Sequence, residues 1–165
     1  MQDQQITNTE IERKFLVTDD SYKLLSNYRY DIVQGYICKD EARTVRIRLR
    51  TEADGTGKGY ITIKSKPSDN HIAHLEWEKE IDVPSAQLLL QICLPGLIEK
   101  TRWIIPAQTT PDTHTLIWEV DEFHGRLNGL VMAEIELNNE QQPFLKPSFI
   151  GEEVTFNPKY YNANM

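Results

Sequence analysis

The stretch Thr44-Val45-Arg46-Ile47-Arg48-Leu49-Arg50 alternates strictly between polar and apolar side chains. Period two is the signature of a β-strand, because successive side chains leave the backbone on opposite faces. Arg46, Arg48 and Arg50 therefore share one face, and Val45, Ile47 and Leu49 the other. A row of like charges on a strand face opposes sheet formation. A sequence that accepts this cost gains something by it, and what it gains is the question the rest of the chain answers.

The same period recurs on both sides of this stretch. It predicts strands over 10–17, 32–37, 44–50, 60–64, 74–83, 97–105, 115–123 and 130–137. Two helices interrupt them. One runs from Asp19 to about Asn27 with Thr18 as its N-cap. The other opens at Pro84-Ser85, runs to Ile92 and stops at Pro95-Gly96, with Leu88-Leu89-Leu90 as its core face. Asp54-Gly55-Thr56-Gly57-Lys58-Gly59 is a hairpin loop, and the tail after Asn138 is irregular. The class is α+β with a dominant antiparallel sheet. Eight strands in a small domain close into a barrel or fold into a sandwich.

The totals bound the answer without naming it. The 165 residues make one domain, 1–165. Acidic residues number 25 against 18 basic, a net charge of −7, which argues against a basic coat for general nucleic-acid binding. No apolar run approaches the roughly 18 residues of a membrane span. Met1-Gln2-Asp3-Gln4-Gln5 has no signal-peptide character, and Cys38 and Cys93 are too few for a disulfide scaffold. A cytoplasmic protein with reduced thiols is expected.

Charge is sorted by face on nearly every strand. Glu10, Glu12 and Lys14 share one, as do Glu76, Glu78 and Glu80, Lys100 and Arg102, Glu119 and Asp121, and Glu134 and Glu136; Lys64 stands opposite Ile61 and Ile63. A half-buried sheet with a solvated face is the ordinary explanation. These faces, however, carry few of the Thr, Ser and Gln that fill solvated strand faces, and several carry a single sign. Period two leaves open which face points inward.

Clustered carboxylates are hard oxygen ligands suited to Mg²⁺ or Mn²⁺, and rows of Lys and Arg match phosphate. Together they point to a metal-bound polyphosphate and to phosphoryl chemistry. Other signals are absent. His71, His74, His114 and His124 show no ligand spacing, the glycine-rich loop lacks the phosphate-loop pattern, and there is no GxSxG.

Taken in order, the charged strands resemble the CYTH, or triphosphate tunnel metalloenzyme, superfamily. Glu10-Ile11-Glu12-Arg13-Lys14 looks like its opening ExExK signature. Gln34-Gly35-Tyr36-Ile37, Arg46-Ile47-Arg48, Thr62-Ile63-Lys64, Glu76-Trp77-Glu78 and Lys100-Thr101-Arg102-Trp103 resemble its successive strands. Trp118-Glu119-Val120-Asp121 and Ala133-Glu134-Ile135-Glu136-Leu137 resemble its metal-side strands. Gly151-Glu152-Glu153-Val154-Thr155 and Tyr160-Tyr161-Asn162 look like the tail of short bacterial members. Cys38-Lys39 departs from the Ser-Arg often found there.

The resemblance implies an eight-stranded antiparallel β-barrel whose charged faces line a tunnel, with the apolar faces packed under a few flanking helices. It implies Glu10, Glu12, Asp121, Glu134 and Glu136 as metal ligands, and Lys14, Arg46, Arg48, Lys64, Lys100 and Arg102 as substrate-binding residues. Glu12, Lys14, Glu134 and Glu136 form the implied catalytic set. Glu76, Glu78 and Glu119 hold a second metal or orient the bases. Arg50 and Glu80 are expected at the tunnel mouth, in water.

The expected activity is hydrolysis of inorganic triphosphate with Mg²⁺ or Mn²⁺. Alternatives are a class IV type adenylate cyclase, a thiamine or nucleoside triphosphatase, a more distant RNA 5′-triphosphatase, and a non-catalytic polyphosphate- or nucleotide-binding module. The partner is a triphosphate-containing small molecule, without general nucleic-acid or membrane binding, and a homodimer is compatible with it.

Overall fold

A computed structural model describes residues 8–40, 42–65, 73–107 and 116–165. The expectations for the first five residues, for His71 and His114 and for a seventh strand beginning at Thr115 lie outside the described residues.

Nine strands form one antiparallel sheet: β1 Asn8–Val17, β2 Tyr28–Lys39, β3 Arg43–Thr51, β4 Gly57–Ser65, β5 Ala73–Ile81, β6 Ile98–Pro106, β7 Ile117–Phe123, β8 Val131–Glu136 and β9 Ile150–Glu153. The spatial order is β5-β4-β3-β2-β6-β7-β8-β1-β9. The sheet is strongly curled. The first half of β1 pairs with β5, from Asn8 opposite Glu76 to Ile11 opposite Ala73, while its second half pairs with β8, from Glu12 opposite Glu136 to Leu16 opposite Met132. Strands β1 to β8 thus surround a central cavity, as the resemblance implies, where the alternation alone left barrel and sandwich open.

The sequence missed β9, where Ile150–Glu153 adds to β1 outside this ring. Four residues around a glycine carry too little alternation to read. The first helix is also shorter than expected: α1 spans Tyr22–Leu25. Thr18 does not cap it, since its amide donates to Phe149 O at 2.9 Å and prolongs the strand edge. Asp19 Oδ1 instead accepts from the Ser21 amide at 2.9 Å in a tight turn. The second helix, α2 Val83–Gln91, is capped by Asp82, whose carboxylate accepts from the Ser85 amide at 2.8 Å. It seats Ala86 on β4 at Gly59, where a Cβ would lie 2.6 Å from the Ala86 Cβ, so only glycine allows that approach.

Outside the ring, apolar side chains of β1, β6, β7 and β8 form the main core. Phe15, Trp118, Val120, Ala133 and Ile135 are all fully buried there. Phe15 and Trp118 meet edge to face, 5.5 Å between centroids, the favoured aromatic geometry. Tyr22 of α1 and Phe144 and Phe149 of the irregular tail cover this core. The expectation that helices cover the outer faces is corrected elsewhere. On β4 and β5, Ile63, Leu75 and Trp77 are 40%, 60% and 36% exposed, and Leu88 of α2 faces solvent rather than a core.

Inside the ring, the lining changes character along the axis. At one end Leu16, Tyr36, Ile98, Phe123 and Met132 pack into a second apolar cluster with Val154. Tyr160, Ala163 and Met165 of the C-terminal turns lie against it. Toward the other end the inner positions are charged.

Candidate active site

The register decides which side chains look inward. Directly opposed residues of an antiparallel pair share a face. Arg46 opposes Thr62, which opposes Glu78; Lys64 opposes Glu76; Glu12 opposes Glu136; Lys14 opposes Glu134, which opposes Glu119. All of these but Thr62, together with Glu10, Arg48 and Arg102, line a cavity of about 240 Å³. Ile117 and Asn162 complete its wall.

The two signs occupy different arcs of the wall. The adjacent strands β5, β1, β8 and β7 carry Glu76, Glu78, Glu10, Glu12, Glu134, Glu136 and Glu119. The arc β4-β3-β2-β6 carries Lys64, Arg46, Arg48 and Arg102, and Lys14 alone projects from the acidic side.

Ion pairs stitch the arcs together. Lys14 Nζ donates to Glu134 Oε1 at 2.5 Å and contacts Glu12 Oε1 at 2.8 Å. Burial alone would raise the Glu12 carboxyl, but the ammonium groups of Lys14 and Lys64 draw it down to about 2. Glu134 lies well below the usual carboxylate range because Lys14, Arg102 and Lys100 outweigh its burial. Lys64 is shared among Glu10, Glu76 at 3.2 Å and Glu12 at 3.8 Å. One ammonium does not neutralise three acids, so burial and the charges of Glu12 and Glu76 push Glu10 up to about 8. Glu136 has no cation partner among the described residues. Burial, then Glu119, Glu76 and Glu12, raise its pKa.

On the basic arc, Arg46 Nη2 donates to Thr62 Oγ1 at 3.2 Å, and that hydroxyl donates to Glu78 Oε2 at 2.7 Å. Arg102 pairs with Glu119 and reaches Glu134 Oε2 at 3.3 Å. Arg48 is different. It has no ion-pair partner among the described residues, and burial followed by the like charges of Arg46 and Arg102 lowers its pKa. It is a half-buried cation on the cavity wall.

Two expected site residues sit behind the wall. Asp121 is 2% exposed; Oδ1 accepts from Arg102 Nε at 2.7 Å and Oδ2 from Arg102 Nη2 at 2.7 Å and Lys100 Nζ at 2.5 Å. Both oxygens are thus occupied. Lys100 is 1% exposed, and burial, only partly offset by Asp121, lowers its pKa to about 8. At the rim, Arg50 is tied to Glu52 and stacks 3.7 Å over Tyr30, while Glu80 pairs with Lys58 in solvent.

A strand ring with opposed acidic and basic arcs, in this order along the chain, is a family pattern, and the family model described as the CYTH domain matches residues 8–163. The chain belongs to the CYTH domain family. Within it, the chain is 42% identical to the inorganic triphosphatase of Acetivibrio thermocellus over 160 residues, 94% of this chain and 92% of that protein. It is 33% identical to the inorganic triphosphatase of Nitrosomonas europaea, over 93% of this chain and 94% of that one. Among solved structures, that of the inorganic triphosphatase NE1496 aligns with a TM-score of 0.60 at 31% identity, covering 95% of this chain and 93% of the other.

CYTH membership implies a divalent cation as cofactor. The donor set fits one. Seven carboxylates face five cations, so the wall carries a surplus of negative charge, and it is felt at Glu10 and Glu136. Among the described residues no three acids already converge as a ready-made cage. That suits Mg²⁺-type ions, which take one or two carboxylates and fill the remaining positions with water and substrate phosphate. Among the described residues, no helix is long and apolar enough to cross a membrane.

Sequence reasoning missed Asn162, which enters the wall from the C-terminal turns and accepts from Lys100 Nζ at 3.5 Å. It also left the inner face of β2 unassigned, although Gln34 and Tyr36 stand two apart in Gln34-Gly35-Tyr36 and share a face by the rule applied to every other strand.

Proposed function

We propose that this CYTH protein hydrolyses inorganic triphosphate to diphosphate and phosphate with Mg²⁺ or Mn²⁺ in the cytoplasm. One observation carries the reading: a half-buried arginine without an acid partner among the described residues, Arg48, faces a surplus of carboxylates across one small cavity. A bare polyanion meets a net-negative wall there, whereas a polyanion with its divalent cation is matched on both sides.

One or two carboxylates among Glu10, Glu12 and Glu134 would hold the cation, with water and substrate phosphate completing its shell. When bound, it neutralises phosphate oxygens and lowers the pKa of a water ligand. Arg46, Arg48, Arg102, Lys14 and Lys64 bind the phosphate chain. Arg48 offers a planar fork with no acid on it among the described residues, and the lysines point charges. Asp121 and Lys100 act from behind the wall: Asp121 fixes the guanidinium plane of Arg102 with two bonds, and Lys100 keeps Asp121 charged. Glu76, Glu78 and Glu119 orient Lys64, Arg46 and Arg102 through the contacts already described. Glu136, raised and without a cation partner, accepts a proton from the attacking water. Water forms a bond to a terminal phosphorus, the bridging P–O bond breaks, and the cationic arc takes up charge on the departing diphosphate.

A substrate panel tests this. Inorganic triphosphate, ATP, thiamine triphosphate and long polyphosphate are compared for phosphate release with Mg²⁺ and with Mn²⁺. The reading predicts the highest kcat/KM for inorganic triphosphate. Preference for ATP, or cyclic AMP as its product, contradicts it.

A further inference from the structure

Strand β2 lies at the middle of the basic arc, between β3 and β6, and carries no charge on its inner face: Tyr30, Ile32, Gln34 and Tyr36. Gln34 stands directly opposite Arg48 on β3 and Ile98 on β6. It is 0% exposed, and neither Oε1 nor Nε2 has a hydrogen-bond partner among the described residues. Buried amides are nearly always bonded, and one left with both ends unpaired costs stability that an apolar side chain of the same length would spare. Arg48 presents the complementary deficit: its Nε is buried and unpartnered, and the guanidinium has no acid beside it.

We infer that Gln34 is a positioning residue for Arg48, its Oε1 accepting from the guanidinium once phosphate occupies the basic arc. Arg46 and Arg102 repel Arg48, and a bound anion removes that repulsion, letting the guanidinium settle against its neighbour. A neutral acceptor is the chemistry this task requires. A glutamate in its place would orient Arg48 but cancel the charge meant for the substrate; a methionine would fill the space and orient nothing. The inference rests on the triphosphatase reading and deepens it.

Two variants test it, Gln34→Met and Gln34→Glu, in the full chain with Mg²⁺. Gln34→Met melts at or above the wild-type temperature, since it removes the unpaired amide. Its KM for triphosphate rises about tenfold, the loss expected for a hydrogen bond to a charged group, with kcat little changed. Gln34→Glu shows a larger rise in KM than Gln34→Met, since its carboxylate pairs with Arg48 and cancels the charge meant for phosphate. A merely structural role for Gln34 moves stability and leaves KM unchanged in both variants. Wild-type KM in Gln34→Met, or a KM in Gln34→Glu no higher than in Gln34→Met, overturns the inference while leaving the triphosphatase reading standing. A wild-type protein without triphosphatase activity overturns both.

Discussion

Lys14 and Glu134 face each other across β1 and β8 at 2.5 Å, and the same ammonium holds Glu12 at 2.8 Å. One buried cation thus keeps two carboxylates of the proposed cation site charged and apart. Removing it leaves both uncompensated, and breaking a buried pair in this way costs about 3–5 kcal/mol. Lys14→Met is expected to lower the melting temperature by about 6–20 °C at roughly 2–4 °C per kcal/mol. Added Mg²⁺ restores part of the loss. The double variant Lys14→Met/Glu134→Gln loses less than the sum of the singles, because the pair is coupled. Additive melting temperatures would contradict the pairing.

Arg48 and Arg102 make a contrasting pair. Arg102 is bound to Asp121, Glu119 and Glu134, whereas Arg48 has no ion-pair partner among the described residues and is repelled by Arg46 and Arg102 more than it is drawn by Glu78 and Glu119. Arg102→Met therefore unpairs buried acids, and both stability and turnover fall. Arg48→Met relieves repulsion. Its melting temperature stays level or rises, while KM for triphosphate increases by about 10–100-fold, the scale of a lost charge-assisted contact. Thermal melts and steady-state kinetics on the two variants check this, and equal destabilisation by both would contradict the assignment.

Glu10 gives a pH signature. Its carboxyl, pushed up to about 8 in the fold, has an ordinary value near 4.5 when exposed. Between those values the folded chain binds the extra proton. The stability it contributes is therefore fully present below about pH 4.5 and is lost as pH rises through 8. Without added divalent cation, the wild type is expected to lose several degrees of melting temperature relative to Glu10→Gln between pH 5 and 8. With Mg²⁺ the difference narrows, since the cation replaces the proton. Parallel pH curves for the two proteins would remove Glu10 from the cation site.

The strands and their sorted charges were legible because period two is a local property, and Arg46-Ile47-Arg48 or Glu134-Ile135-Glu136 display it without help. Which face turns inward was not, since that depends on β1 pairing with both β5 and β8, contacts more than sixty residues apart in the chain. The same limit explains Asp121 and Lys100. Alternation puts them on the charged face with Glu119 and Arg102, but packing at the apolar end of the ring seals them away from the cavity. Asn162 and Gln34 carry no charge, so a search for charge rows passed over both. The resemblance supplied the in–out assignment before any register was known, and the register agrees with it.

The most direct measurement is phosphate release from inorganic triphosphate by the wild type, Glu12→Gln and Glu134→Gln, each with Mg²⁺, with Mn²⁺ and with excess chelator. The account predicts wild-type turnover only with a divalent cation, and a loss of at least about 10²-fold in both variants, as expected when charge that holds the transition state is removed. Wild-type rates in either variant, or turnover in chelator, would contradict it.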